Sequence, residues 1–320
     1  MTATQLKTAQ LGGTGLEITR VGFGAWAIGG GDWEFGWGPQ DDGESVAAIH
    51  RALDLGVNWI DTAAAYGFGR SEEMVGRALA GMAERPYVFT KCSLLEGPDR
   101  TVVHSLKRDS IVREAEASLC RLRLDAIDLY QIHWPNPAAD IEEGWAALVE
   151  LKEQGLVRHI GVSNFDVNQL RLIEQIAPVE TIQPEYSLIK REVEPEILPF
   201  AEREGIGVIV YAPMGSGMLT GGMTRERAET LPDNDWRARD ARFNEPQLSA
   251  NLDLVERLKV VAERHEATPG AVAVAWTLRN PAVDGAIVGF RRPAQVDPIV
   301  TAGNLQLTDA DLAEIEGSNR

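Results

Sequence analysis

The amino-acid sequence predicts an α/β fold, a (β/α)8 barrel forming a single domain. Three observations carry that expectation. Eight short apolar runs alternate with segments of helical periodicity. Chemically active residues stand at or just beyond the ends of several runs, as in GVNWIDTAAAY, PYVFTK and DAIDLYQIHW. In a parallel barrel such strand ends converge on one mouth. Finally, the glycines after the first run, GFGAWAIGG, lack GxGxxG spacing and lead into a long turn-rich segment. That argues against a doubly wound dinucleotide-binding sheet and makes the glycines loop devices.

The elements follow in order. ITRVGFGAW holds the first strand, and residues 44–55 form a helix with Val46, Ala47, Ile49 and Leu53 at helical spacing and Gly56 as its stop. VNWID is the second strand, followed by a helix over 71–79 with Met74, Val75 and Leu79 on one side. YVFTK is the third, and Ser110 is expected to cap a helix over 110–120 built on Ile111, Ala115 and Leu119. AIDLYQIH is the fourth, with a helix over 141–151 that Gly155 stops. VRHIGVSNF and VETIQPEYS hold the fifth and sixth strands, with helices over 169–176 and 195–204. GVIVYAP is the seventh. Thr268 and Pro269 then open a helix reaching residue 280, with threonine as cap and proline in the first turn. GAIVGF is the eighth, and closing helices begin near Pro293 and Asp309.

The barrel is expected to span residues 1–320, with long loops at about 25–42 and 212–250 near the mouth. Hydrophobic residues make up 44% and charged residues 25%, enough apolar material for a large core. The net charge of −17 excludes broad binding to nucleic acid or anionic membrane but permits a local basic pocket. No run reaches transmembrane length and the start shows no leader pattern, so a cytoplasmic location is expected. Cys92 and Cys120 cannot build a disulfide framework, and each is read as a buried free thiol.

Asp61, Tyr66, Lys91 and His133 form the group that carries chemistry. A free phenol has a pKa of about 10. A neighbouring ammonium would stabilise its phenolate, a carboxylate would hold the ammonium, and an imidazole would orient a substrate oxygen. Taken singly, the same residues read as a rim tyrosine, a packed histidine and a salt bridge. Taken together, NWIDTAAAYGFGRSEEMVGRAL, VFTK, DAIDLYQIHWP, RHIGVSNF and IQPEYSL resemble the aldo-keto reductases, and YAPMGSGMLTG and AIVGFRRPAQV fit the later pattern. The resemblance runs from about Leu11 to the last helix. It is nearest to a bacterial branch related to general stress and inositol-associated reductases and to potassium-channel beta subunits.

The resemblance implies a (β/α)8 TIM barrel and makes Asp61, Tyr66, Lys91 and His133 the catalytic tetrad, with Tyr66 as general acid and no metal required. It places Ser163, Asn164 and Gln183 on the carboxamide of a nicotinamide and Tyr211 against the ring. Ala212, Pro213, Met214, Gly215, Ser216, Gly217 and Leu219 belong to a loop over the pyrophosphate. Gly289, Phe290, Arg291, Arg292 and Gln295 lie at the adenosine end, where a basic pair suits the 2′-phosphate of NADP. Val288 stands where the family often has proline, so NAD stays possible beside NADP. Arg242 and Asn244 are lower-ranked clamps. From the residues alone, Ser163 and Asn164 read first as caps of the following helix, Gln183 as the close of a loop and Tyr211 as filling of the mouth.

Trp26, Trp33 and Trp134 are candidates for the substrate pocket, although Trp33 and Trp37 sit in a loop whose default is packing. The expected activity is reversible NADPH-dependent reduction of an aldehyde or ketone. A polyol or sugar dehydrogenase, and a nicotinamide-binding regulatory subunit with slow turnover, are the alternatives. The expected partner is a small carbonyl or alcohol substrate; the sequence assigns no oligomeric state.

Overall fold

Period-two alternation builds the barrel and its active layer at once. The computed structural model describes residues 5–317. Its eight parallel strands are β1 (Val21–Gly24), β2 (Trp59–Asp61), β3 (Tyr87–Cys92), β4 (Ile127–Ile132), β5 (Val157–Ser163), β6 (Thr181–Gln183), β7 (Gly207–Val210) and β8 (Gly285–Gly289). They close in chain order, β8 pairing with β1 through Ile287 opposite Gly22. Trp59, Phe89, Leu129 and Ile209 pack together inside the barrel. Residues two further along point the same way, which puts Asp61, Lys91, Gln131 and Tyr211 one layer higher, at the mouth. Gly22 is required by this arrangement: a side chain there would collide with the Trp59 indole, whose Nε1 donates to the Thr19 carbonyl at 2.8 Å.

A hairpin pairs Thr8–Gln10 with Glu17–Thr19 and seals the opposite end, adding Leu11, Leu16 and Ile18 to the same interior cluster. Outside lie α1 (Asp42–Asp54), α2 (Arg70–Ala78), α3 (Arg108–Leu122), α4 (Ile141–Glu153), α5 (Val167–Glu174), α6 (Ile197–Glu204), α7 (Gln247–Arg264), α8 (Pro269–Leu278) and α9 (Asp309–Glu316). Their apolar faces, through residues such as Ile49, Val75, Ile111, Trp145 and Trp276, form the main core against the strands. Thr268 caps α8 with Pro269 in its first turn, as expected. No helix among the described residues is long and apolar enough to cross a membrane.

Several expectations are corrected. Ser110 does not cap α3, which begins at Arg108. The Arg108 N–H is met at 3.0 Å by Glu143 of α4, and the Ser110 hydroxyl turns inward to Glu114. The sixth strand shrinks to Thr181–Gln183. The longest helix among the described residues, α7, falls partly within the segment expected to be a long loop, because the polar stretch before it masks its start. A second hairpin, Leu94–Glu96 with Val102–His104, adds two strands that the sequence pattern does not predict. Cys92 is buried, but Cys120 is exposed.

Candidate active site

Lys91 sits at the centre of the mouth and is buried. Its Nζ donates to Asp61 Oδ1 at 2.6 Å, to the Thr62 carbonyl at 2.8 Å and to the Tyr66 hydroxyl at 3.3 Å. The second Asp61 oxygen accepts from Gln183 Nε2 at 2.9 Å. Tyr66 lies in the turn beyond β2, and its ring meets the edge of His133 at 5.6 Å between centroids. All four residues of the sequence-level group are thus brought together.

Burial raises the Asp61 pKa and lowers that of Lys91, while their mutual attraction opposes both shifts. Burial, with the Asp61 charge acting in the same direction, pushes the Tyr66 phenol well above its ordinary value. Burial sets this direction even though the Lys91 ammonium stands 3.3 Å from the hydroxyl, where it would stabilise a phenolate. The phenol is therefore loaded with its proton at neutral pH. Burial and the Lys91 charge hold His133 well below the usual imidazole range, so it is neutral there. Its Nδ1 is buried without a hydrogen-bond partner.

Beside this group runs a polar chain. The Tyr211 hydroxyl donates to Asn164 Oδ1 at 2.9 Å, Asn164 Nδ2 donates to the His133 carbonyl at 2.9 Å and to Ser163 Oγ at 3.0 Å, and Ser163 Oγ donates to the Gln183 carbonyl at 2.7 Å. The capping alternative for Ser163 and Asn164 fails, because Asp166 caps α5 in a box with Gln169. Ser163, Asn164, Gln183 and Tyr211 line one cavity of about 680 Å³ with Tyr66 and His133.

Of the remaining expected cofactor residues, Ser216 also lines that cavity, and the others lie outside its lining. After β7, Ala212, Gly215, Ser216 and Gly217 take positive φ, turning the backbone sharply, whereas Pro213 and Leu219 are buried and Met214 packs on the core. After β8, Gln295 Oε1 accepts from the backbone N–H groups of Arg291 and Arg292 at 2.8 and 3.2 Å. Arg291 is clasped to the first long loop: its Nε donates to Gln40 Oε1 at 2.7 Å, and Gln40 Nε2 donates back to the Arg291 carbonyl at 2.8 Å. Gly289 and Arg292 are exposed, while Phe290 is buried against Phe23.

Trp26, Trp33 and Trp134 all line the cavity; Trp37 does not, packing instead between Trp26 and Trp236 with the Arg237 guanidinium over its face. Arg242 reaches the cavity wall but is paired with Glu185 at 2.6 Å and Asp240 at 2.8 Å, and Asn244 bonds the backbone of its own loop. Unforeseen lining comes from Phe35, His104, Asn136, Glu185, Trp236, Arg239 and Asp240. Trp236 stacks on Trp26 at 5.2 Å, and its backbone N–H donates to the Gly36 carbonyl at 3.2 Å, joining the two long loops. In the sequence that tryptophan stands in DNDWRARD, within the second long loop. His104 reaches the cavity from the end of the second hairpin, whose short strands carry no periodic signal in the sequence.

Behind the site, burial raises the Glu114 carboxyl to about 7. The fold therefore favours its protonated form, and this stabilisation is present at acid pH and lost as pH rises from the ordinary carboxylate range through about 7. The shift corresponds to about 3 kcal/mol. Glu114→Gln should gain about that much stability relative to the parent between about pH 4 and about pH 8, measured by urea unfolding at both. An unchanged difference between the two proteins would show that Glu114 does not titrate across this window.

A proton-loaded phenol, an ion-paired lysine and a neutral imidazole at a barrel mouth define a site for transferring a proton to or from a substrate oxygen. The comparisons agree with that class. A model of the aldo/keto reductase family matches residues 20–320, and the chain belongs to this family. It is 40% identical over 305 residues to the aldo-keto reductase YhdN of Bacillus subtilis (strain 168), covering 94% of this chain and 90% of that one. It is 36% identical over 320 residues to an NADH-specific methylglyoxal reductase of Escherichia coli (strain K12), covering 96% of each. The solved structure of the glycerol dehydrogenase AKR11B4 from Gluconobacter oxydans superposes with a TM-score of 0.87 at 38% identity, over 97% of this chain and 94% of that one. The chain is accordingly an oxidoreductase that interconverts carbonyl compounds and alcohols.

Proposed function

We propose that this protein reduces a small aldehyde or ketone with NADPH, reversibly, and that Tyr66 supplies the proton. The observation that carries this reading is the contact of the buried Lys91 ammonium with both Asp61 and the Tyr66 hydroxyl. The donor set fits a nicotinamide nucleotide. Arg227, Arg237, Arg291 and Arg292 lie near enough that burial first, and then the other three charges, lower the Arg291 pKa, against the Asp235 carboxylate. Such a cluster of like charges suits phosphate groups. When bound, the reduced nicotinamide supplies hydride to the carbonyl carbon. Ser163, Asn164 and Gln183 would hold its carboxamide, and Tyr211 its ring.

The chain's own residues do the rest. His133, neutral, orients the carbonyl oxygen by hydrogen bonding. Tyr66 passes its proton to that oxygen as negative charge develops there, and Lys91, anchored by Asp61, stabilises the phenolate left behind. In the oxidative direction the phenolate takes the proton back. The tryptophans exclude water, and Glu185, Asp240, Arg239 and Arg242 give the outer cavity a polar wall. That wall supports a short, polar substrate, as do the names of the methylglyoxal reductase and glycerol dehydrogenase relatives. The likeness to the dehydrogenase also favours a second reading, polyol oxidation with NADP or NAD. The chain's own motifs support placing it in a bacterial branch related to general stress and inositol-associated reductases and to potassium-channel beta subunits; tight cofactor retention with negligible turnover would favour a regulatory role. A panel of carbonyls with NADPH and NADH, and of polyols with NADP and NAD, separates these readings.

Arg292 is assigned to the 2′-phosphate because Arg291 is held by Gln40, although the relative from Escherichia coli is named as NADH-specific. Loss of a charge-assisted contact of about 1.5–3 kcal/mol weakens binding about tenfold to a hundredfold. Arg292→Ala should weaken NADPH by that factor and NADH much less. Arg291→Ala, which frees the Gln40 clasp, should weaken both. Titration with each reduced cofactor at fixed salt decides. A parent protein that prefers NADH overturns the NADPH assignment and leaves the reductase reading standing.

A further inference from the structure

Lys91 points into the barrel, so its neighbours Thr90 and Cys92 point outward, under the helices. An apolar contact would be the ordinary choice there. Instead Thr90 Oγ1 donates at 2.6 Å to Glu72 of α2, which is buried and paired with Arg121 of α3 at 2.7 Å. On the other side of Lys91, the Ser93 N–H donates at 3.0 Å to Glu114 of α3, also buried. Ser93 has φ +81°, a backbone state that a residue other than glycine keeps only when its surroundings hold it. The Cys92 carbonyl, between these two anchors, accepts the His133 N–H at 3.1 Å, and the Lys91 carbonyl accepts from Ala64 N. Two buried carboxyl groups are an expensive way to fill a helix–strand layer. Besides Arg121 and Ser110, their partners are Thr90 and Ser93, on either side of the lysine.

We propose that Glu72 and Glu114 are positioning residues for Lys91, fixing the end of β3 from its outer face through Thr90 and Ser93. Neither touches the reacting groups. They set where Nζ stands relative to the Tyr66 hydroxyl, and through Cys92 they set where His133 leaves β4. The inference rests on the reading of Lys91 as the partner of Tyr66. It differs from a packing role in one respect: losing the anchor should slow chemistry more than it weakens cofactor binding.

The test uses the full-length protein, saturating NADPH and methylglyoxal as the probe carbonyl. Single-turnover hydride transfer and the NADPH Kd are measured together. Thr90→Val keeps the shape and removes the donor, while Thr90→Ser restores it. Glu114→Leu removes the acceptor for Ser93, while Glu114→Gln keeps a carbonyl oxygen there. Thr90→Val and Glu114→Leu should each slow hydride transfer about tenfold, since displacements of a fraction of an ångström suffice for that. The NADPH Kd should stay within about twofold of the parent, and the serine and glutamine variants should recover most of the rate. If Glu114→Leu does not fold, the Thr90 pair decides alone. Valine and leucine variants with parental rates, or serine and glutamine variants as slow as them, overturn the positioning role. A parent protein that turns over no carbonyl overturns this inference and the reductase reading together, whereas an active parent with indifferent variants overturns this inference alone.

Discussion

Tyr66→Phe is expected to slow hydride transfer about 100- to 10,000-fold, the usual cost of removing a general acid, with NADPH affinity nearly unchanged. The structure makes this a clean substitution. The ring stays packed against His133, Trp26 and Trp33. Lys91 loses one acceptor but keeps Asp61 and the Thr62 carbonyl. Only the transferable proton is removed. Single-turnover kinetics and a cofactor titration on the same preparation separate chemistry from binding. Hydride transfer at the parental rate would remove Tyr66 from the mechanism.

Lys91→Met is expected to damage both chemistry and stability. The ammonium is the cation in contact with the phenol oxygen, and without it a phenol already raised by burial rises further. The rate of alcohol oxidation, which needs phenolate, should therefore reach its plateau at higher pH than in the parent. Reduction should slow as well, because the phenolate formed on proton transfer lacks its partner. The substitution also strands the buried Asp61 carboxylate. Breaking a buried pair costs about 3–5 kcal/mol. With Lys91 gone, burial raises the Asp61 pKa unopposed by the nearest positive charge. The variant's stability is then highest where Asp61 is protonated and falls as pH rises through that raised pKa, so the deficit against the parent widens from acid to neutral pH. A pH–rate profile for oxidation and unfolding curves across pH check the two halves. An unmoved basic limb would reduce Lys91 to a structural ion pair.

The strand ends were legible in the sequence because the information is local. Trp59 and Asp61, Phe89 and Lys91, and Ile209 and Tyr211 each show an apolar residue followed two positions on by one that carries chemistry. The alternation that fills the barrel thus also points those groups into its mouth. Ser163, Asn164 and Gln183 came by family likeness, and their shared chain of hydrogen bonds appears only in three dimensions. What stayed hidden depends on distant partners. Glu143 sets the start of α3 from the next helix, so no local cap at Ser110 was needed. Gln40 holds Arg291 across 251 positions, which separated two arginines that look equivalent side by side. Trp236 and His104 reach the cavity from a long loop and the second hairpin, where no periodicity announces which way a side chain turns.

The central claim is that this barrel delivers hydride to a carbonyl carbon and the Tyr66 proton to its oxygen. It is tested most directly with NADPH carrying deuterium at the transferable position, methylglyoxal as substrate, and mass analysis of the alcohol formed by the parent protein and by Tyr66→Phe. The account predicts one deuterium on the new carbinol carbon in the parent reaction and almost no product from the variant over the same time. Product whose carbinol hydrogen comes from solvent, or equal deuterium transfer by the variant, would contradict it.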